Sequence, residues 1–130
     1  MSWEQWTDNL VSQNVHHAAI FGRDGNPWSC KNITASPAEV KIIEEAIRLQ
    51  KQDIFTSGVT LNNEKWTALR LEENVLVIKG KDDKIKEKTM TVALTKQALV
   101  FGCNKDGTVQ ANHVRDATEK LAASLETAGY

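Results

Sequence analysis

Cysteine is scarce in this chain of 130 residues, and Cys30 and Cys103 fit neither a metal-ligand spacing nor a small disulfide framework. They read as free, buried thiols. Proline is just as rare, at two, and no repeat, linker or low-complexity segment interrupts the sequence. Charge of one sign is not in excess: 16 Lys and Arg face 17 Asp and Glu, so no global field draws the protein to nucleic acid or to an anionic membrane. Any electrostatic attraction must be local. No apolar run approaches the ~18 residues of a membrane span, and the first residues lack the basic and apolar regions of a signal peptide. These features predict a cytoplasmic protein. There is no phosphate-cradling glycine loop and no paired-carboxylate motif for acid-base chemistry, so no catalytic residue and no cofactor is expected.

A hydrophobic content of 41% suits one domain with a single core, spanning 1–130. Ser2 and Gln5 form a capping box, and Trp3, Trp6, Leu10 and Val11 recur at helical spacing, so a helix is expected over 2–12. In "HHAAIFGRDGNPWSC" two short strands flank a turn at Asp24 and Gly25. Ser36, Pro37 and Glu39 make the clearest helix start, with Val40, Ile43, Ala46 and Ile47 as the apolar stripe of a helix over 37–51. From Gly58 the period becomes two: "VTL", "KWTALRL", "VLVIKG", "KTMTVALT" and "ALVFGC" read as five strands of an antiparallel meander. A last helix follows, with Val114, Ala117, Leu121 and Leu125 on one face. Helices and strands do not alternate as in parallel units, so the chain is α/β of the α+β kind, with about seven antiparallel strands and helices packed on the sheet.

Three groups of residues invite a functional reading. His16, His17, His113, Cys30 and Cys103 suggest a metal or Cys-His nucleophilic site, but neighbours in a strand point to opposite faces, so His16 and His17 cannot both ligate one ion from there. The plain reading is strand residues and no metal. The segment 79–88, "KGKDDKIKEK", holds five lysines against three acids and is either a solvated hairpin loop or a charged rim for a protein or acidic lipid. The tryptophans say more. Four occur, and Trp3, Trp6 and Trp28 fall in the first 28 residues. They either dock a terminal helix to the sheet or leave indole edges exposed for a polyproline II ligand, whose flat rings and unpaired carbonyls suit aromatic grooves with N–H donors.

The stretches "SWEQWTDNL", "AAIFGRDGNPW", "VIKGK", "QALVFG" and "EKLAASLETAGY" occur in the order and spacing of profilins, and the chain resembles most closely the plant and protist type over its whole length. The resemblance implies a single-domain profilin-like fold, with the N- and C-terminal helices side by side on one face of the sheet and shorter helices on the other. It implies a monomeric, cytoplasmic, cytoskeletal protein that is not an enzyme and that binds monomeric actin and proline-rich proteins such as formins. By matched position, the proline groove comprises Trp3, Trp6, Asn9, Trp28, Leu125 and Tyr130. The actin face comprises Lys65, Arg70, Lys79, Lys81, Val109, Asn112, Arg115, Asp116 and Glu119. Phosphoinositide binding would draw on Arg23, Arg70, Lys79, Lys81, Lys84 and Lys86, at about 1 kcal/mol each near an anionic surface.

Some positions depart from the family pattern. Ser124 stands where profilins usually carry histidine or tyrosine, which removes a stacking surface worth ~1 kcal/mol. Trp6, where tyrosine is common, adds area in return. The loop 82–88 is charged and longer than usual, and "DGTVQAN" lacks the customary Gly or Pro, so the path of 108–112 is open. From residues alone, a scaffold or small-ligand sensor of roadblock-like or PAS-like topology remains the alternative, marked by edge-strand dimerisation or by a ligand in the sheet's concavity.

Overall fold

The computed structural model describes residues 3–130. Its elements, in chain order, are α1 (Trp3–Ser12), β1 (His17–Gly22), β2 (Pro27–Lys31), α2 (Pro37–Arg48), α3 (Ile54–Ser57), β3 (Val59–Leu61), β4 (Glu64–Glu72), β5 (Val75–Gly80), β6 (Thr89–Leu94), β7 (Ala98–Cys103) and α4 (Ala111–Thr127). The seven strands form one sheet in the order β2-β1-β7-β6-β5-β4-β3, with every pairing antiparallel. The meander and the first hairpin join where β1 runs against β7, from His17 opposite Cys103 to Gly22 opposite Ala98.

Local chemistry sets the element ends. At α2 the capping box is complete: the Ser36 hydroxyl accepts the Glu39 N–H, and the Glu39 carboxylate accepts the Ser36 N–H. The box expected at Ser2 and Gln5 depends on Ser2, which lies outside the described residues. Helix α2 stops at Arg48 rather than 51 because Gln50 takes a left-handed φ of 52° and the Lys51 N–H bonds the Ala46 carbonyl. Such helix ends favour Gly or Asn, and Gln50 gives no such signal. Its side chain offsets the strain by donating to the Ile47 and Glu72 carbonyls. The turn between β3 and β4 places Asn62 and Asn63 at φ 50° and 64°, the conformation that tight hairpins require.

The sheet has two buried faces. On one, α2 and α3 cover a cluster that includes Phe21, Ile43, Ile47, Trp66, Ile78 and Phe101; on the other, α1 and α4 cover Leu10, Ile20, Val100, Val114, Leu121 and Leu125. Leu10 is buried, but Val11 is exposed, so the docking stripe of α1 is narrower than its sequence suggests. Cys103 is buried as expected, whereas Cys30 alternates outward on β2 and is exposed. At Gly102 of β7 an added Cβ would lie 2.0 Å from the Thr118 hydroxyl, so the bare backbone is what lets α4 settle against the sheet. That close seat places the end of α4 beside the start of α1.

Candidate ligand-binding site between the terminal helices

Three rings meet at the junction of the chain's two ends. Trp3 lies 4.6 Å from Trp28, centroid to centroid, and 4.8 Å from Tyr130 in an edge-to-face contact, while Trp28 and Tyr130 are 6.2 Å apart. These are favourable separations for aromatic pairs, and each ring braces the next. Trp3, Trp6 and Trp28 are half-buried against the α1/α4 core, and Tyr130 is 38% exposed. The indoles are thus anchored on one side and wet on the other.

Each ring is held by a distinct local device. On α1, the buried Thr7 hydroxyl donates to the Glu4 carbonyl and lies 2.9 Å from the Ser29 hydroxyl of β2, which ties the helix to the strand that carries Trp28. Trp28 itself rests against Gly22, where an added Cβ would come within 3.0 Å of its Nε1. The chain end is pinned through its backbone: the Tyr130 carbonyl accepts from the Gln97 N–H at 2.6 Å and from the Thr95 hydroxyl at 2.9 Å. Sequence reading missed Thr7, Ser29, Thr95, Gln97 and Gly22. Of these only Gly22, at the end of an apolar strand and six residues before a tryptophan, carries a signal.

Other residues expected in the groove are placed differently. Asn9 is exposed and accepts from Gln13 Nε2 at 2.7 Å. Among the described residues Trp6 makes no ring-ring contact, so it flanks the triad. Leu125 is fully buried and forms the floor beneath the rings rather than a contact surface. Ser124 is exposed on α4.

A second surface lies on the same side of the sheet, where β4 and β5 extend beyond α4. Lys79, Lys81 and Lys86 line an open trough with Thr67, Leu69 and Glu87. Lys65 is exposed, and its carbonyl accepts the Lys81 N–H. At the α4 end, Arg115 donates to Glu72 at 2.6 and 3.0 Å and to Glu119 at 2.9 Å. The Arg115 hydrogen bonds hold the Glu72 carboxyl below its usual range. Arg70 reaches Glu72 at 3.8 Å, and Asp116 pairs with Lys120 at 3.0 Å. Val109 and Asn112 line a separate depression with Asn14 and His113. The loop 82–88 and the turn before α4 are tied together by Asn104, whose amide donates to the Val109 carbonyl at 2.8 Å and to the Glu87 carbonyl at 3.5 Å, while its side-chain oxygen accepts the N–H of Thr89 at the start of β6.

The basic residues do not form one cluster. Lys79 lies near the β6 residue Thr89, whereas Arg23 follows Gly22 at the opposite strand ends and bonds the Gln97 carbonyl. Arg23 is also committed to the buried Glu44 at 2.7 Å. It therefore stands apart from Lys79, Lys81, Lys84 and Lys86.

The histidine and cysteine reading meets two obstacles, the raised thiols and the lack of a third ligand among the described residues, although His17 does lie opposite Cys103. β1 begins at His17, and the His16 and His17 rings touch edge to face at 4.8 Å instead of splitting across the sheet. His113 instead meets the Gln13 carbonyl, at the end of α1. Burial pushes the Cys103 thiol up to about 12, and it raises Cys30 too, so neither is an activated nucleophile. Among the described residues no three His, Cys, Asp or Glu side chains converge on a possible metal position, and no helix is long and apolar enough to cross a membrane.

The family model described as Profilin matches residues 1–130. A profilin of Strongylocentrotus purpuratus is 30% identical, with 98% of each chain covered, and profilin-1 of Entamoeba histolytica is 29% identical with 100% of each covered. Among solved structures, Acanthamoeba castellanii profilin II superposes with a TM-score of 0.85 at 26% identity, covering 99% of this chain and 100% of that one. Mouse profilin IIa, in complex with a double repeat from the FH1 domain of mDia1, gives 0.85 at 22% identity, with 100% of each covered. Full-length coverage by the family model, together with these relatives, shows that the chain belongs to the profilin family of non-enzymatic, actin-binding proteins.

Proposed function

We propose that this protein holds an actin monomer on the open β4/β5 face beside α4 and a proline-rich segment on the Trp3, Trp28 and Tyr130 cluster, and so links the two. The observation that carries the second half is the half-exposed ring triad at the junction of the chain ends. A polyproline II segment is rigid before it binds, so stacking its rings on preset indoles costs little conformational entropy. Indole N–H and phenol O–H groups supply the donors that its carbonyls need. The mouse relative, bound to a double FH1 repeat, supports this use of the fold, and formin-type FH1 segments are the proposed ligands. Trp6 and Asn9 extend the groove along α1, and Leu125 supports it from below.

The actin half rests on a mixed rim of Lys65, Lys79 and Lys81 with Arg70, Asp116 and Glu119 around the exposed Leu69. Such a rim speeds encounter and excludes wrong partners more than it adds affinity. Because the two surfaces use different residues, from the first turns of α4 for one and from its end for the other, one molecule can engage both ligands together, in the cytoplasm and at the cytoskeleton. Phosphoinositide headgroups are a proposed third ligand of Lys79, Lys81, Lys84 and Lys86.

Retention on polyproline resin tests the aromatic half. Trp3→Ala removes the ring shared by both close contacts and should abolish retention while circular dichroism stays native. Unchanged retention would refute the groove.

A further inference from the structure

Two turns at one end of the sheet support the ring cluster. Between β1 and β2, Gly22 seats the Trp28 indole, and the turn closes with the Gly25 N–H on the Gly22 carbonyl at 2.9 Å. Between β6 and β7, the Gln97 N–H and the Thr95 hydroxyl hold the Tyr130 carbonyl, and Gln97 Nε2 donates to the Gly129 carbonyl at 3.2 Å. Trp28 and Tyr130, 6.2 Å apart, are thus supported from different turns. The ladder between β1 and β7 ends with Gly22 opposite Ala98, so beyond that pair something else must join the turns.

Arg23 joins them. Its backbone N–H donates to the Gln97 carbonyl at 3.2 Å and its Nη1 to the Lys96 carbonyl at 3.3 Å. The rest of the guanidinium is held by Glu44, where Nε and Nη2 donate to one carboxylate oxygen at 2.9 and 2.7 Å. Glu44 belongs to α2, on the face of the sheet away from α1 and α4, and is only 8% exposed. A buried carboxylate keeps its cation, because separating them leaves an uncompensated charge. The planar fork of donors lets arginine keep that hold and still direct another N–H at a carbonyl.

The same carboxylate also accepts from Arg48 Nε, at 3.1 and 3.2 Å, but Arg48 bonds nothing in either turn. The two arginines therefore share an anchor and differ in what they brace.

We propose that Arg23 is a positioning residue of the proline groove: fixed by Glu44 from the far face of the sheet, it locks the β6–β7 turn to the β1–β2 turn and so sets where Tyr130 stands relative to Trp28, given that the ring cluster is the site of the proline-rich segment. Its charge then serves the groove from behind and touches no ligand. The backbone bond to Gln97 survives any change of side chain, so the side chain's share is the Lys96 contact and the anchor on Glu44.

The test compares Arg23→Gln with Arg48→Gln, each as the full ¹⁵N-labelled chain titrated with decaproline and unfolded in urea. Both should lower the urea midpoint, since each takes one cation from Glu44. Only Arg23→Gln should move the Trp28 indole and Tyr130 ring signals of the free protein and weaken decaproline about fivefold, the fold-change that one aromatic pair energy converts to. Arg23→Lys, which keeps a cation beside Glu44 and gives up the fork, should recover the midpoint more than the affinity, and it carries the comparison if Arg23→Gln does not fold. Unchanged rings and affinity in the Arg23 variants, equal weakening by Arg48→Gln, or affinity that recovers in step with the midpoint would each overturn the positioning role alone. An unmutated protein whose rings ignore decaproline would overturn the groove reading first, and this role with it.

Discussion

Gly102→Ala tests how the groove is supported from within the core. The new Cβ would lie 2.0 Å from Thr118 Oγ1, 3.2 Å from Val15 Cγ1 and 3.3 Å from Thr118 Cβ, against an ordinary contact of 3.4–4 Å. Thr118 is fully buried, and its hydroxyl donates to the Val114 carbonyl at 2.7 Å. Rotating the hydroxyl away strands it without a partner, at about 1–3 kcal/mol. Moving α4 outward instead is overpacking, at a similar cost. The expected loss is therefore about 2 kcal/mol or more, read as a lower urea midpoint with an unchanged slope. Thr118→Ala removes the clashing atom, so the double variant should recover at least about 1 kcal/mol relative to additivity. Its remaining tight contacts, with Val15 Cγ1 at 3.2 Å and the residue 118 Cβ at 3.3 Å, prevent full recovery. Additive losses in the double-mutant cycle would refute the claim that Gly102 exists to seat α4. The single variant should also weaken polyproline binding, because α4 carries Tyr130 to the groove.

Lys81→Glu should reduce sequestration of actin monomers in a pyrene polymerisation assay while leaving retention on polyproline unchanged; equal losses in both would indicate one shared face. His17 has a folded pKa below its ordinary 6.5, so its neutral form is favoured by folding, and the stability it contributes is complete above pH 6.5 and lost as pH falls through the folded value. His17→Gln should flatten that part of a pH-stability curve measured by urea unfolding, and an unaltered slope would contradict the assignment. One thiol per native molecule, Cys30, should react slowly with a disulfide reagent, and Cys103 only after unfolding, because burial excludes Cys103 and raises its pKa to about 12. Rapid labelling of two would refute that burial.

Most of the architecture was legible in local pattern. Ser36, Pro37 and Glu39 announce α2, alternation announces β3 to β7, and Asp24 with Gly25 announces the first turn, because each of these depends on neighbours within a few residues. What the pattern does not carry is contact across the chain. Pairing of β1 with β7 joins residues about eighty apart, and no periodicity encodes it. The same limit explains Arg23: its type suggests a basic site, but Glu44 captures it across 21 positions. It also explains Tyr130, whose place in the ring triad depends on Thr95 and Gln97 holding its carbonyl. Matched position places Leu125 at the groove, and helical phase turns it inward with Leu121, beneath the rings. For Cys30 residue type favours burial, but its position on β2, next to the inward Ser29, turns it outward.

The central claim is that the rings at the two chain ends form one binding surface. A heteronuclear NMR titration with decaproline examines it directly. The account predicts that the Trp3 and Trp28 indole signals and the Tyr130 ring move together along one saturable curve, while the Trp66 indole stays fixed. Shifts confined to one ring, or no shift at decaproline concentrations that bind other profilins, would contradict it.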